Sequence, residues 1–142
     1  MFGLIVKYFG FLKAVPLLPH VFDGLLYLHT YFTNTRLLDC IDLITNEVLS
    51  WDDTENALHK YGGLQFNSRG KEIGHIHGNG ILDIRFSRKI KEQLIVEGRV
   101  VPHHVFKDSG WVSFYMQGMG DFDYAIKLLR MSYLKIADHA SK

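Results

Sequence analysis

Residues 71–77 read Lys-Glu-Ile-Gly-His-Ile-His, and a second histidine pair, His103-His104, follows Pro102. Four of the eight histidines therefore fall in two short clusters. Imidazole is the side chain that gains or loses a proton near neutral pH, and metals choose it most often. Side chains two apart on a strand share a face, so an extended segment points His75 and His77 the same way. Such a pair can chelate a metal together with a carboxylate, in the manner of a two-histidine, one-carboxylate iron site. It can equally serve as general base and hydrogen-bond donor. Asp83 is the obvious carboxylate.

Register decides whether Asp83 joins the pair. Residues 71–77 and 81–86 read as two strands joined by Gly78-Asn79-Gly80, and Asn-Gly between strands is a strong hairpin signal. A two-residue turn would pair His75 with Leu82 or Ile84 and send Asp83 to the opposite face, with Ile76. Only a three-residue loop would set His75 beside Asp83, because a one-residue slip flips every side chain. The favoured turn argues against the triad, although His103 or His104 could complete a three-histidine site. Without a metal, Leu82 and Ile84 would surround the imidazoles with apolar groups, lowering their pKa and keeping a neutral base available. An inert structural pair, hydrogen-bonded to backbone, is the competing reading. His20, His29, His59 and His139 lack partners in sequence and are expected at the surface or in packing.

Trp111, Ser113 and Tyr115 alternate on one face of a further strand, with Val112 and Phe114 on the other. Three amphipathic side chains in a row suit the wall of a pocket for a flat organic ligand, and equally a half-buried sheet face. Gly62-Gly63 and Gly118-Met119-Gly120 lack the strand-to-helix spacing of a phosphate loop.

The elements that must position these residues follow from periodicity. Leu37, Leu38, Ile41, Ile44 and Val48 form a helical stripe from Thr35. Residues 61–67 alternate weakly and end at the turn Ser68-Arg69-Gly70. Ser87 caps a helix that Gly98 stops, residues 99–106 are extended, and residues 111–117 are a strand. Asp121 is expected to cap a last helix with the stripe Phe122, Ala125, Ile126, Leu129, Tyr133 and Ile136. The order predicts an α+β domain: an antiparallel sheet with helices packed on one face, preceded by an apolar helical N-terminal segment.

The chain has 142 residues, 47% apolar and 13% aromatic, with a formal charge of +1. A chain of this size buries roughly 68% of the surface its unfolded form exposes, so neither disulfides nor metal are needed for a core. A near-neutral chain carries no field for nucleic acid, and no such partner is expected. Cys40 is the single cysteine, which excludes an intrachain disulfide and fits a reducing, cytoplasmic setting. Its apolar helical surroundings place it in the core rather than at a nucleophilic site. Residues 1–32 are strongly apolar but interrupted by Lys7, Lys13, Pro16, Pro19, His20 and Asp23, so no run spans a bilayer, and a signal cleavage pattern is lacking. Pro16 and Pro19 mark a hinge. Two readings of 1–32 stand: a packing or homo-oligomer contact, or an interfacial segment on a membrane surface. The division is therefore 1–32 as apolar segment and 33–142 as one α+β domain.

The stretch from KEIGHIH through LDIRFSRKIKEQLIVEGRVVPHHVFKDSGWVSFYM to AIKLLRMSYLKI resembles the luciferase-domain family, small bacterial and archaeal proteins related to fungal luciferase. PHHVxxDSGWVSF is a close match to the small members. The likeness to the fungal enzyme is looser: His75, His77, His103 and Trp111 align with like residues, whereas Asp83 stands where that enzyme has histidine and His104 where it has proline. Those departures weigh against the fungal substrate. The resemblance implies an oxygen-dependent reaction on a hydroxypyrone, with no flavin or nucleotide, in which a histidine deprotonates an enol and the enolate reacts with O2. It also implies membrane association through the apolar N-terminal segment. A shared fold does not by itself carry a shared reaction.

The leading expectation is a small-molecule pocket for cofactor-independent oxidation or proton abstraction on an enolisable compound. His75 or His77 would be the base and His103 the orienting donor, with His104, Trp111, Ser113, Tyr115 and Asp83 against the substrate. O2 is the co-substrate the resemblance implies, and no bound metal is expected. A non-catalytic binding module and a histidine-ligated metal enzyme are the rival readings.

Overall fold

The computed structural model describes residues 17–140. Helix α1 (Leu18–Thr33) and α2 (Thr35–Leu49) come first, followed by strands β1 (Thr54–Leu58), β2 (Leu64–Ser68), β3 (Lys71–Ile76) and β4 (Ile81–Arg85). Helix α3 (Arg88–Val96), β5 (Val101–Pro102), β6 (Trp111–Tyr115), a 3-10 turn (Met119–Asp121) and α4 (Phe122–Ala140) complete the chain. The six strands form one antiparallel sheet in the order β1-β2-β3-β4-β6-β5. The architecture is the α+β class that the patterning predicts.

Alternation sorts the sheet into two faces. Phe66, Ile76, Leu82, Ile84, Val112 and Phe114 are buried and pack with Leu38, Ile44 and Val48 of α2 and Leu128 and Leu129 of α4. Gly74 lies on this face because a Cβ there would meet Ile84 and Leu129 at 2.9 and 3.3 Å. The opposite face carries a polar row: His75 pairs with Asp83, and Asp83 with Ser113, across β3, β4 and β6.

That row overturns the expected register. The β3–β4 loop is three residues, Gly78-Asn79-Gly80, closed by His77 N–H donating to Ile81 O and Gly80 N–H to His77 O, both at 2.9 Å. Gly80 has φ +83°, the left-handed position that ends a three-residue hairpin. The Asn-Gly pair marks the turn but sits one residue later than a two-residue loop requires, so Asp83 lands beside His75.

One edge strand escaped periodicity, and the other falls within the expected extended segment 99–106. Four of the five residues of β1 are exposed, so the strand shows no apolar alternation to read. Strand β5 is two residues long and ends at Pro102, which has no N–H to give and is tolerated at the sheet's edge. Ser87 caps α3 as expected, accepting from Ile90 N–H at 3.3 Å, and Gly98 follows the helix at φ +81°. Asp121 does not cap α4: it ends the 3-10 turn, and its carboxylate accepts from Gln117 N–H at 2.8 Å and Arg99 at 2.9 Å.

Of the apolar segment 1–32, residues 1–16 lie outside the described residues. Pro19 sits in the first turn of α1, where its missing N–H is harmless. Only Thr30 of this helix is buried, while Val21, Leu25, Leu28, Tyr31 and Phe32 are exposed. Among the described residues no helix is long and apolar enough to cross a membrane.

The hairpin gives a test of what fixes the register. Alanine at Gly70 (φ +72°, nothing within 4 Å) introduces backbone strain alone, and Gly70→Ala is expected to cost about 1 kcal/mol. At Gly80 a Cβ would also meet Leu37 at 2.8 Å and Met116 O at 3.0 Å, so Gly80→Ala is expected to cost about 2–3 kcal/mol. Urea midpoints compare the two, and equal losses would contradict the packed-loop explanation.

Candidate functional site

The polar face gathers side chains from five places in the chain. His75 and Asp83 face each other across β3 and β4. His77 follows two residues on, at the mouth of the hairpin. His103 extends β5, its N–H donating to Trp111 O at 3.3 Å. The result is a convergence on one atom: the Nε2 nitrogens of His75, His77 and His103 lie 3.5, 3.4 and 3.5 Å from Asp83 Oδ2. Asp83 is fully buried, and His75 and His103 are 4% and 6% exposed. The other Asp83 oxygen accepts a short hydrogen bond from Ser113 Oγ. Oδ2 has no hydrogen-bond partner among the described residues, and the three ring nitrogens stand at the outer edge of hydrogen-bond range from it.

Each ring is held from behind. A bulge in β3, between the partners of Phe66 and Asn67, places Glu72 on the same face as His75 although the two are three apart. Their contact is 2.6 Å, Glu72 Oε1 to His75 Nδ1. Asp23 reaches in from α1 and accepts from Gly78 N–H at 3.0 Å, with His77 Nδ1 at 3.3 Å. Glycine admits this helix: a Cβ on Gly62 would meet Pro19 O at 2.7 Å, and one on Gly78 would meet the Tyr27 backbone at 2.7 Å. His103 is held differently. Its Nδ1 accepts from Val105 and Phe106 N–H at 3.1 and 3.2 Å, which places the ring proton on Nε2, toward Asp83.

These surroundings set the protonation. Burial pulls His75 and His77 down, but the carboxylates on either side outweigh it. His75, between Asp83 and Glu72, is held above its ordinary value, and His77, between Asp23 and Asp83, is pushed up to about 9. Burial raises Asp83, yet the three imidazoles and Ser113 hold it well below the usual carboxylate range. Asp23 is lowered as well: burial opposes, and His77 with the Gly78 N–H outweighs it. The expectation of a dry apolar setting with depressed imidazoles is therefore reversed for this pair, because the partner across the hairpin is a carboxylate and not Leu82 or Ile84.

The low imidazole is one that sequence reasoning set aside. His59, 5% exposed, stacks on His75 with ring centroids 3.7 Å apart, and burial together with the neighbouring His75 holds it at about 4. It sits at the start of the β1–β2 turn, with its N–H donating to Gly63 O at 2.9 Å. Glu72 and Asp23 were also missed. Only Glu72 left a trace, as part of the KEIGHIH motif.

The remaining expected residues divide. Trp111 flanks the cluster, 5.6 Å from the His75 ring and 6.1 Å from His103, and Ser113 holds Asp83. His104 is exposed and stacks on His103 at 4.5 Å. Tyr115 is 47% exposed, opposite Ile81, two residues beyond Ser113 on the same face. A cleft of about 580 Å³ opens beside the cluster, walled by Phe86, Val105 and Phe106 and edged by Arg85, Arg88 and Lys107. Phe106 joins the two by stacking on His103 at 5.2 Å, but none of the histidines lines the cleft. Two ligand sets could hold a metal: His75, His77 and Asp83, or His59, Glu72 and His75.

Protonation of His77 should be visible in stability. Its folded value of about 9 exceeds the ordinary value of ~6.5, so folding favours the proton. The stabilisation is complete below about pH 6.5 and is lost as pH rises through about 9, on the order of 3 kcal/mol. In chelator-treated protein Tm should fall across that window, and His77→Gln should flatten the fall. A wild-type profile level from pH 6.5 to 9 would contradict the carboxylate clamp.

No curated protein and no solved structure matches the chain. Residues 70–132 match the family model described as the luciferase domain, a span that contains Glu72, His75, His77, Asp83, His103 and Trp111, with His59 and Asp23 outside it.

Proposed function

We propose that the histidine–carboxylate centre binds a small enolisable compound and promotes its oxidation by O2, without flavin or nucleotide. The observation that carries this reading is the convergence of His75, His77 and His103 on the buried Asp83 carboxylate, flanked by Trp111. A buried cluster of titratable groups with displaced pKa values is a general signature of a reactive site. The fungal relatives of the luciferase-domain family give the enol and oxygen chemistry its precedent.

What the centre offers a substrate is the Nε2–H groups of His75 and His77, which Glu72 and Asp23 keep protonated from behind while Asp83 faces them. An acidic enol would bind as its enolate by accepting from these groups alongside Asp83. The pair then acts by stabilising the enolate, not as the free base that a neutral imidazole would supply. The enolate is electron-rich enough to reduce O2, and the protonated rings can deliver a proton to the peroxide that forms. His77 is the open side of the cluster, its side chain 18% exposed against 5% for His75. The adjoining cleft offers the apolar walls of Phe86 and Phe106 and the charges of Arg85, Arg88 and Lys107, which suits an aromatic body bearing an acidic group.

The decisive variants are His75→Ala and His77→Ala, each checked for a folded far-UV spectrum and a cooperative melt. Oxygen consumption with a panel of hydroxypyrones and β-diketones should fall at least about 100-fold in either variant, as expected when a group that stabilises developing charge is removed. Unchanged turnover and ligand binding in both folded variants would end this reading.

A further inference from the structure

We infer that His75, His77 and Asp83 form a mononuclear site for a divalent first-row transition metal, with His103 and Ser113 orienting its carboxylate. The inference concerns the same centre as the proposed oxidation but stands on ligand geometry, so either can fail alone.

Four observations agree. First, one ligand atom from each of the three residues lies within 4.8 Å of the other two. His75 Nε2 and His77 Nε2 are 3.5 and 3.4 Å from Asp83 Oδ2. Ligands about 2.0–2.2 Å from a shared ion stand roughly 3.0–3.5 Å apart, depending on whether the angle between them is octahedral or tetrahedral. Two edges of the triangle therefore already have the length an ion would impose.

Second, both rings have a carboxylate on the far nitrogen, Glu72 for His75 and Asp23 for His77. Histidines that ligate metals nearly always donate that N–H to a carboxylate or carbonyl, which turns the Nε2 lone pair inward. Third, Asp83 Oδ2 is fully buried with no hydrogen-bond partner among the described residues, and an ion between it and the two rings would satisfy it. Its partner oxygen is already engaged by Ser113.

Fourth, the third nearby imidazole excludes itself. His103 Nδ1 accepts two backbone N–H groups, so its Nε2 bears the proton and has no lone pair for a metal. It also falls outside both candidate ligand sets. That leaves two imidazoles and one carboxylate on one side of the ion, with the remaining positions open, a donor set suited to Fe(II), Mn(II), Co(II) or Zn(II).

The test uses Co(II) as a spectroscopic probe. Full-length protein is stripped with a chelator, dialysed, and titrated with Co(II) without oxygen while visible absorption is recorded. We expect a ligand-field band that saturates at one equivalent. It should be absent in His75→Ala, His77→Ala and Asp83→Ala and retained at one equivalent in His103→Ala. Because replacing Asp83 can unfold the sheet, Glu72→Gln supplies an independent arm: a folded protein that still takes one Co(II), with affinity about 10–100-fold weaker. No band in folded wild type would overturn the inference. So would wild-type affinity in folded His75→Ala, His77→Ala or Glu72→Gln, since the cluster would then be a proton-filled one. Oxygen consumption has no part in this readout. Metal uptake without turnover would sink only the substrate reading, and turnover by protein that takes up no Co(II) would sink only the metal site.

Discussion

The carboxylate of Asp83 sets the terms for this molecule. It is fully buried on the face of the sheet away from the helical core, and an ionised carboxylate in such a place must be matched by charge and donors. The groups gathered around it come from β3, from the end of β5 and from β6, so surrounding one carboxylate ties four strands into a single arrangement. The carboxylates behind the rings extend the same logic outward. Glu72 and Asp23 fix His75 and His77; Glu72 is more accessible than His75, and Asp23 is about as accessible as His77.

The core on the other face makes that possible. Phe66, Ile76, Leu82, Ile84 and Val112 are packed against α2 and α4 tightly enough that β3 and β4 cannot slip. A slip of one residue would carry Asp83 into the hydrocarbon and Leu82 into the polar cluster. Apolar packing thus enforces the position of a group that on its own would destabilise the fold. Helix α1 contributes differently: its one buried residue is Thr30, and its part in the site is Asp23, admitted by backbone glycines at 62 and 78.

Much of this was legible in the residues themselves. The α2 stripe, the Ser87 cap, the Gly98 stop and the β3–β4 hairpin all announce themselves through periodicity and turn chemistry. The pairing of His75 with His77, and the addition of His103 and Trp111, follow from alternation and from the family resemblance. The register did not follow. Gly78-Asn79-Gly80 admits two- and three-residue loops, and the choice rests on how Gly80 packs against Leu37 and Met116 across the fold. The expected pKa directions failed with it. Strand β1 was invisible because its exposed residues do not alternate, and His59 went with it. Asp23 could not be found either, since only the tertiary approach of α1 brings it to His77.

The central claim is that the groups on the Nδ1 side, carboxylates for His75 and His77 and backbone N–H groups for His103, dictate which nitrogen of each imidazole carries a proton. Long-range proton–nitrogen NMR correlations of the histidine rings measure this directly. The account predicts Nδ1 protonated in both His75 and His77, and Nδ1 unprotonated in His103 with the proton on Nε2. A spectrum with Nδ1 of His75 and His77 bare, or with His103 protonated at Nδ1, would contradict it.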